Sequence, residues 1–366
     1  MAGRAGVGGV LLLLLLLVGC TSSGSSEAAG EPGHREADYR PAFEEVTFPE
    51  DSGRVLRDAI HCGNRWYMVG ALQAAAGSDP QPAAWESTDG RIWRSVRVVP
   101  LTGSFYGPRS VLSSVACANG KVAALGAQSG GAHGNPRTSA WRQLSDGALA
   151  EVAAPFELYG GDEAVDVGRI VGGPDGFLIA GNRTSGPAAW VSRDGSRFVR
   201  HEVQEKGALA RDGAVFDGRY ILVGAGPPGS RAGPGGVAWE STDGSTWLRA
   251  NRIDAVELQR VVAFGGKLIA VGQRGATFTA WLNDRGEWSR LGDFGAATPT
   301  GARSLTVAGG QLVVSADQVW SSPDGRSWRR VVVPATPVAV AGDAASLLVV
   351  GADRAWSAGT ANPPGR

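Results

Sequence analysis

The sequence predicts an all-β fold: a seven-bladed β-propeller of four-stranded antiparallel blades, closed by an N-terminal strand that pairs with the C-terminal blade. Three observations predict it. Seven tryptophans that follow a small or apolar residue, Trp85, Trp141, Trp190, Trp239, Trp281, Trp320 and Trp356, recur along the chain at blade-sized intervals. Short apolar runs come in pairs joined by Gly-Gly, Asn-Gly or Asp-Gly, the signature of tight hairpins. The phrase WESTDG is written twice, at 85–90 and 239–244, each time ending its turn at a tryptophan. A helical solenoid is excluded, because period-2 and short apolar runs dominate and no 3.6-residue stripe persists.

The 366 residues include 55 glycines and 12 tryptophans but only 5 tyrosines, a balance that suits many short strands joined by tight turns. Hydrophobic residues make up 43% and charged residues 19%, which is globular rather than disordered. Basic and acidic residues are equal at 35 each, so the chain offers no field to attract nucleic acid or anionic lipid.

Residues 1–19 read as a signal peptide: Arg4, then the apolar run Val10–Val18, too short to span a bilayer comfortably. Leu17-Val18-Gly19-Cys20 resembles the bacterial lipobox, which implies lipidation of Cys20 and a protein anchored on the extracytoplasmic face of the cell membrane. The Ser, Gly and Glu-rich residues 20–41 read as a flexible tether. The propeller then occupies 42–358 and a disordered tail 359–366. With Cys20 acylated, Cys62 and Cys117 remain, and outside the cytoplasm they can pair.

The blades begin near Val55, Val111, Ala164, Ala208, Leu258, Arg303 and Pro337. Each has the same grammar, seen at Val261–Phe264, Gly265-Gly266 and Lys267–Gly272. A variable loop follows, then a third strand of the form Ala-Trp-x-Ser, an Asp-Gly turn, and a fourth strand opened by an aromatic: Trp93, Phe198, Trp247 or Trp328. The last unit lacks a fourth strand, and Phe43–Pro49 looks like an orphan one. Residues 42–49 are therefore expected to pair with 354–358, removing two exposed edges. Equivalent placement of Cys62 and Cys117 in blades one and two makes a disulfide between them feasible.

Ser87–Trp93, Ser192–Phe198, Ser241–Trp247 and Ser322–Trp328, with weaker copies at 144–147 and 283–288, resemble the turns of Asp-box (BNR-repeat), sialidase-like propellers. The resemblance covers 42–358; the interval from Asp to the aromatic is one residue shorter than in the family pattern. Chemistry explains the turn without catalysis. Asp89, Asp194, Asp243 and Asp324 are expected to accept hydrogen bonds from their own turns, the following glycine to take positive φ, and the aromatic to pack between sheets. One role repeated at four equivalent positions is a scaffold role.

Loops of a meander blade alternate between two faces, so the Asp turns and first hairpins share one face and the long, variable loops share the other. Function is expected there. Phe105, Tyr106, Arg109, His133, Arg137, Phe156, Glu157, Tyr159 and Phe294 are the candidates, with Arg231 beside them, an aromatic and polar set suited to a protein or glycan of the cell envelope. The expected protein is a monomeric, non-catalytic binder without cofactor or metal, and without nucleic acid. The alternative is a sialidase-like or other glycoside hydrolase on the same scaffold, using Glu157, Asp162 or Glu163. The sialidase resemblance implies an arginine triad and a Tyr–Glu pair; the Arg-Ile-Pro element is missing, and the sialidases it implies have six blades. Four scattered histidines show no zinc spacing, and the Gly-rich 224–236 lacks the Lys-Ser/Thr of a phosphate loop.

Overall fold

The computed structural model describes residues 37–75, 77–129, 136–229 and 235–360. Within them the chain forms seven sheets, antiparallel apart from one added strand, arranged as consecutive blades covering 54–96, 111–151, 164–202, 209–249, 257–296, 304–331 and 339–359. The first strands of neighbouring blades touch in succession, and that of blade seven touches that of blade one, so the ring is closed. No helix among the described residues is long and apolar enough to cross a membrane.

Local sequence dictates the hairpins. Asn119-Gly120, Asp217-Gly218, Gly265-Gly266 and Gly309-Gly310 all hold positive φ at both turn positions, the type I′ geometry that matches strand twist. They join the first and second strands of blades two, four, five and six. Alternation along the strands then buries one row against each neighbouring blade. The third-strand tryptophans Trp85, Trp141, Trp190, Trp239 and Trp281 are the largest fully buried side chains.

The inner strands bulge at one equivalent place in blades one to five: Leu56/Asp58, Leu112/Ser114, Val167/Arg169, Ala210/Asp212 and Leu258/Arg260. At the bulge a polar side chain faces the next blade. Val115 N–H donates to Asp58 Oδ2 (3.1 Å), Ile170 N–H to Ser114 Oγ (3.3 Å) and Val261 N–H to Asp212 Oδ2 (3.1 Å); in blade six, whose strand has no bulge, Ser304 Oγ likewise accepts the Val340 N–H (2.9 Å). Arg169 ties this ring together, reaching Asp58 at 3.3 Å and Asp212 at 3.7 Å. From blades three and five, Arg169 Nη1 and Arg260 Nε both donate to the Arg303 carbonyl.

The N-terminal segment stitches three blades. Glu44–Glu45 pairs antiparallel with the last strand, Ala355–Gly359, in the register Glu44↔Ser357 and Glu45↔Trp356. Thr47 bridges to Ile92 in blade one, and Tyr39 bridges to Val331 in blade six. Residues 38–41, expected as tether, therefore include a segment that belongs to the propeller; and Gly359, expected in the tail, ends a strand. The leader, Cys20 and residues 361–366 lie outside the described residues.

Two further departures have local causes. The expected final strand of blade one divides: Arg94–Val96 stays in its blade, while Val98–Val99 crosses to pair in parallel with Leu149–Glu151, giving blade two a fifth strand. At 283–288 the expected weak Asp turn is a two-residue type I′ hairpin, with Arg285 and Gly286 at positive φ. This tight turn lets the fourth strand run on through Ala296. Phe294 is consequently a strand residue, 5% exposed, stacked on Trp328 at 4.1 Å and on Phe278 at 5.6 Å. It is core, not a binding residue.

Candidate binding site

The Asp turns are self-contained. Asp89 Oδ1 accepts the N–H groups of Arg91 (2.8 Å) and Ile92 (2.9 Å), and Asp243 Oδ1 those of Ser245 (2.7 Å) and Thr246 (2.8 Å). Asp324 repeats this with Arg326 and Ser327, and Asp194 with Ser196. The serine two positions before each aspartate takes the glycine N–H, as Ser87 Oγ does from Gly90. Gly90, Gly195, Gly244 and Gly325 all hold φ between 68° and 75°. The aromatics close the turns: Trp93 and Phe198 are buried, and Trp247 and Trp328 are half-buried. In each turn Oδ1 is engaged by the turn's own backbone, the pattern of a scaffold carboxylate.

Sheet order puts these turns and the first hairpins at one end of the ring and the remaining connections at the other. At that second end the longest described links, 100–110 and 152–163, flank blade two. The first contains the short 3₁₀ turn Gly107–Arg109 and the second the single-turn helix Phe156–Tyr159. Between them lies a basin of about 400 Å³, and on the far side of the second link, against residues 164–167 of blade three, one of about 500 Å³; the two share Pro136, Arg137, Thr138, Phe156, Tyr159 and Gly160.

Both walls are fixed from below. Glu151 receives the Leu101 N–H (2.8 Å) and the Ser104 hydroxyl (2.9 Å), and Ser104 Oγ in turn accepts the Gly107 N–H (3.0 Å). A β-carbon at Gly107 would stand 1.9 Å from Glu151 Oε2, so only glycine permits this approach. On the other wall the helix carbonyls are capped from blade three. Trp190 Nε1 donates to Leu158 O (2.7 Å), Arg183 to Gly160 O (2.8 Å), and Arg200 to Glu157 O. Burial raises the Tyr159 phenol far above its ordinary value, so it is neutral.

What these walls present is aromatic and cationic. Phe105 is 63% exposed, Phe156 54% and Tyr106 37%. Arg109 lies over Phe105 (4.6 Å) and pairs with Asp79 (3.0 Å). Arg137 lies over Phe156 (4.6 Å) and faces Tyr106 (5.9 Å). The structure thus brings Phe105, Tyr106, Arg109, Arg137, Phe156, Glu157 and Tyr159 to one region; Tyr159, 8% exposed, is a packed wall rather than a contact surface. Phe294 is elsewhere, in the core. His133 and Arg231 lie outside the described residues. Glu151 was missed in the sequence; its place in the outer strand Leu149–Glu151 of blade two gives no motif to find it by.

Two carboxylates, Asp162 and Asp166, line the larger basin. Glu163 faces Arg183 (3.7 Å), Asp166 accepts the Asn182 amide, and neither Tyr106 nor Tyr159 hydrogen-bonds a carboxylate among the described residues. No group of three His, Cys, Asp or Glu side chains among those residues is placed to hold a metal ion.

No family model matches the chain, and no curated protein does. Solved structures do. One described as YCF48 bound to D1 peptide is 15% identical, with a TM-score of 0.57 over 91% of this chain and 99% of the other. The β-propeller domain of the Trilobed protease from Pyrococcus furiosus is 9% identical, with a TM-score of 0.53 over 85% and 94%. A Trypanosoma rangeli sialidase is more distant, at 12% identity and a TM-score of 0.44 over 81% of this chain and 57% of its own. At these identities the first two likenesses establish the propeller fold and nothing narrower.

Proposed function

We propose that the protein is a non-catalytic, Asp-box-type propeller that holds a segment of a protein partner in the cleft beside blade two. The observation that carries this reading is the exposure of Phe105, Tyr106 and Phe156 together on a rigidly braced surface. Exposed aromatics interleaved with arginine at a concave site are the composition of recognition surfaces, and the braced walls keep the ordering cost of binding low. The propeller described as bound to a peptide shares this fold at a distance, and so makes peptide binding a use the scaffold accommodates. The leader and Cys20 support an exported, lipid-tethered protein, and the Cys62–Cys117 disulfide suits an oxidising compartment.

The test is selection of binders from a displayed random-peptide library on the purified protein, with a parallel panel of sialosides and other chromogenic glycosides. Enriched peptides should lose affinity to Phe105→Ala and Phe156→Ala variants whose melting temperatures match the parent, since both side chains are exposed. Glycoside turnover that depends on Glu157 or Glu163, or peptide binding indifferent to both phenylalanines, would overturn the reading.

A further inference from the structure

Arg137 opens the third strand of blade two, Arg137–Gln143, and enters the cleft between Phe156 and Tyr106. A planar cation lying over the Phe156 ring and facing Tyr106 is oriented by both. Yet its own donors are unused. Arg137 makes no ion pair and no side-chain hydrogen bond among the described residues, and its Nε is buried without an acceptor. Its neighbours are different: Arg109 has Asp79, Arg183 has Glu202 (3.4 Å), and Arg200 has Glu202 (3.1 Å). Glu151 is the only carboxylate lining the smaller basin, and both its oxygens are committed to the 101–104 loop. A half-buried guanidinium held in place without an acceptor is a site prepared for an incoming anion.

Resting on the peptide-binding reading above, we propose that Arg137 anchors the side-chain carboxylate of an aspartate or glutamate in the bound segment. An adjacent apolar residue of the segment then packs into the smaller basin, on Leu101, Val152, Pro155 and Phe156. The basin's chemistry favours a peptide over an acidic sugar. Sugar hydroxyls need free carboxylates and amides around the ring; this basin has no Asn or Gln, and its one carboxylate is occupied. A dianionic phosphate calls for a second cation, and Arg109, the other arginine of this rim, is already paired.

The experiment measures binding of two matched peptide series, each with a central acidic residue flanked by Leu or Phe, against counterparts carrying Gln or Asn. Sialylated and uronate oligosaccharides form a third arm. Wild type, R137Q, R137K and F156A are compared, with melting temperatures to show that R137Q folds. Acidic peptides should bind wild type roughly tenfold to a hundredfold more tightly than their amides, the worth of a charge-assisted hydrogen bond. R137Q should erase that preference and keep the weak apolar component, R137K should restore part of it, and added salt should shrink it. Equal binding of acid and amide peptides, or a preference that survives in R137Q, defeats the carboxylate anchor while leaving the peptide-binding reading standing. Failure of every peptide to bind wild type defeats both. Arg137-dependent capture of the acidic oligosaccharides in place of peptides defeats the choice of peptide.

Discussion

At the scale of the residue, the same Ser-x-Asp-Gly turn recurs around the ring. The N–H of Ile92 and then Arg91 hold the Asp89 carboxyl below the ordinary carboxylate range; the Ser196 hydroxyl and N–H do so for Asp194, and the N–H groups of Thr246 and Ser245 for Asp243. At Asp324 burial pulls the other way, but Ser327 and Arg326 prevail. A carboxyl whose folded pKa lies below its unfolded value of about 3.9 contributes stability that is present above that value. The contribution is lost as pH falls through the folded pKa. Thermal melts should therefore decline below about pH 4, and replacing Asp89 and Asp243 together by Asn should flatten that decline; an unchanged acid slope in the variant contradicts the turn assignment. Trp93, 2% exposed, should cost about 3–5 kcal/mol when changed to Ala. Half-buried Trp247 should cost less, as denaturant midpoints will show. This level was the most legible in the sequence, because Ser-x-Asp-Gly is a local motif whose partners lie within four residues of it.

At the scale of the element, what was legible were the patterns that repeat, and what was hidden were the contacts made between blades. Apolar alternation and Gly-bearing turns marked the strands and hairpins, since strand register follows from period 2. Phe294 was misplaced because only the two-residue turn at Arg285-Gly286, replacing a longer Asp turn, decides that its strand continues. Glu151 and Asp212 were silent because their partners are 47 to 50 residues away: Ser104 and Leu101 for the first, Val261 for the second, at a separation of 49. Two predictions test these long-range roles. Glu151→Ala should free the 101–107 loop, weakening peptide capture while leaving the fold's melting temperature nearly intact; faster amide exchange confined to that loop is the direct readout. Asp212→Ala removes the acceptor of the Val261 N–H and one of the two carboxylates facing Arg169. Stripping one partner from a buried ion network leaves an uncompensated charge, so a loss of about 3–5 kcal/mol is expected in urea unfolding. A loss within the range of surface substitutions would show that Asp58 alone suffices for Arg169.

At the scale of the whole molecule, the ring of sheets has a seam between blades seven and one, where the chain's two ends meet. The Cys62–Cys117 disulfide joins the inner strands of blades one and two beside it, with Cα atoms 5.5 Å apart and a sequence separation of 55. Closing a loop of that length in the unfolded chain is worth up to about 4 kcal/mol. Among the described residues the seam itself has no disulfide across it and is crossed by the strap 38–48. Tyr39 N–H donates to Arg330 O (2.8 Å) in blade six, Glu45 pairs with Trp356 in blade seven, and Thr47 exchanges hydrogen bonds with Arg91 and Trp93 in blade one. Val46 is buried in the core shared by blades one and seven, and Phe48 stacks on Trp93. Deleting residues 37–48 should thus expose the edge of Ala355–Gly359 and the core behind it, giving aggregation and loss of cooperative melting. Because Glu44–Glu45 runs antiparallel to Ala355–Gly359, the same segment attached behind Thr360 through a short Gly/Ser linker forms a hairpin with that strand. Blade seven then becomes an ordinary four-stranded meander, and solubility and cooperative melting should return. A deletion protein that melts cooperatively at the parent temperature, or a relocated strap that rescues nothing, would show that the ring is held by its blade interfaces and not by its closing strand.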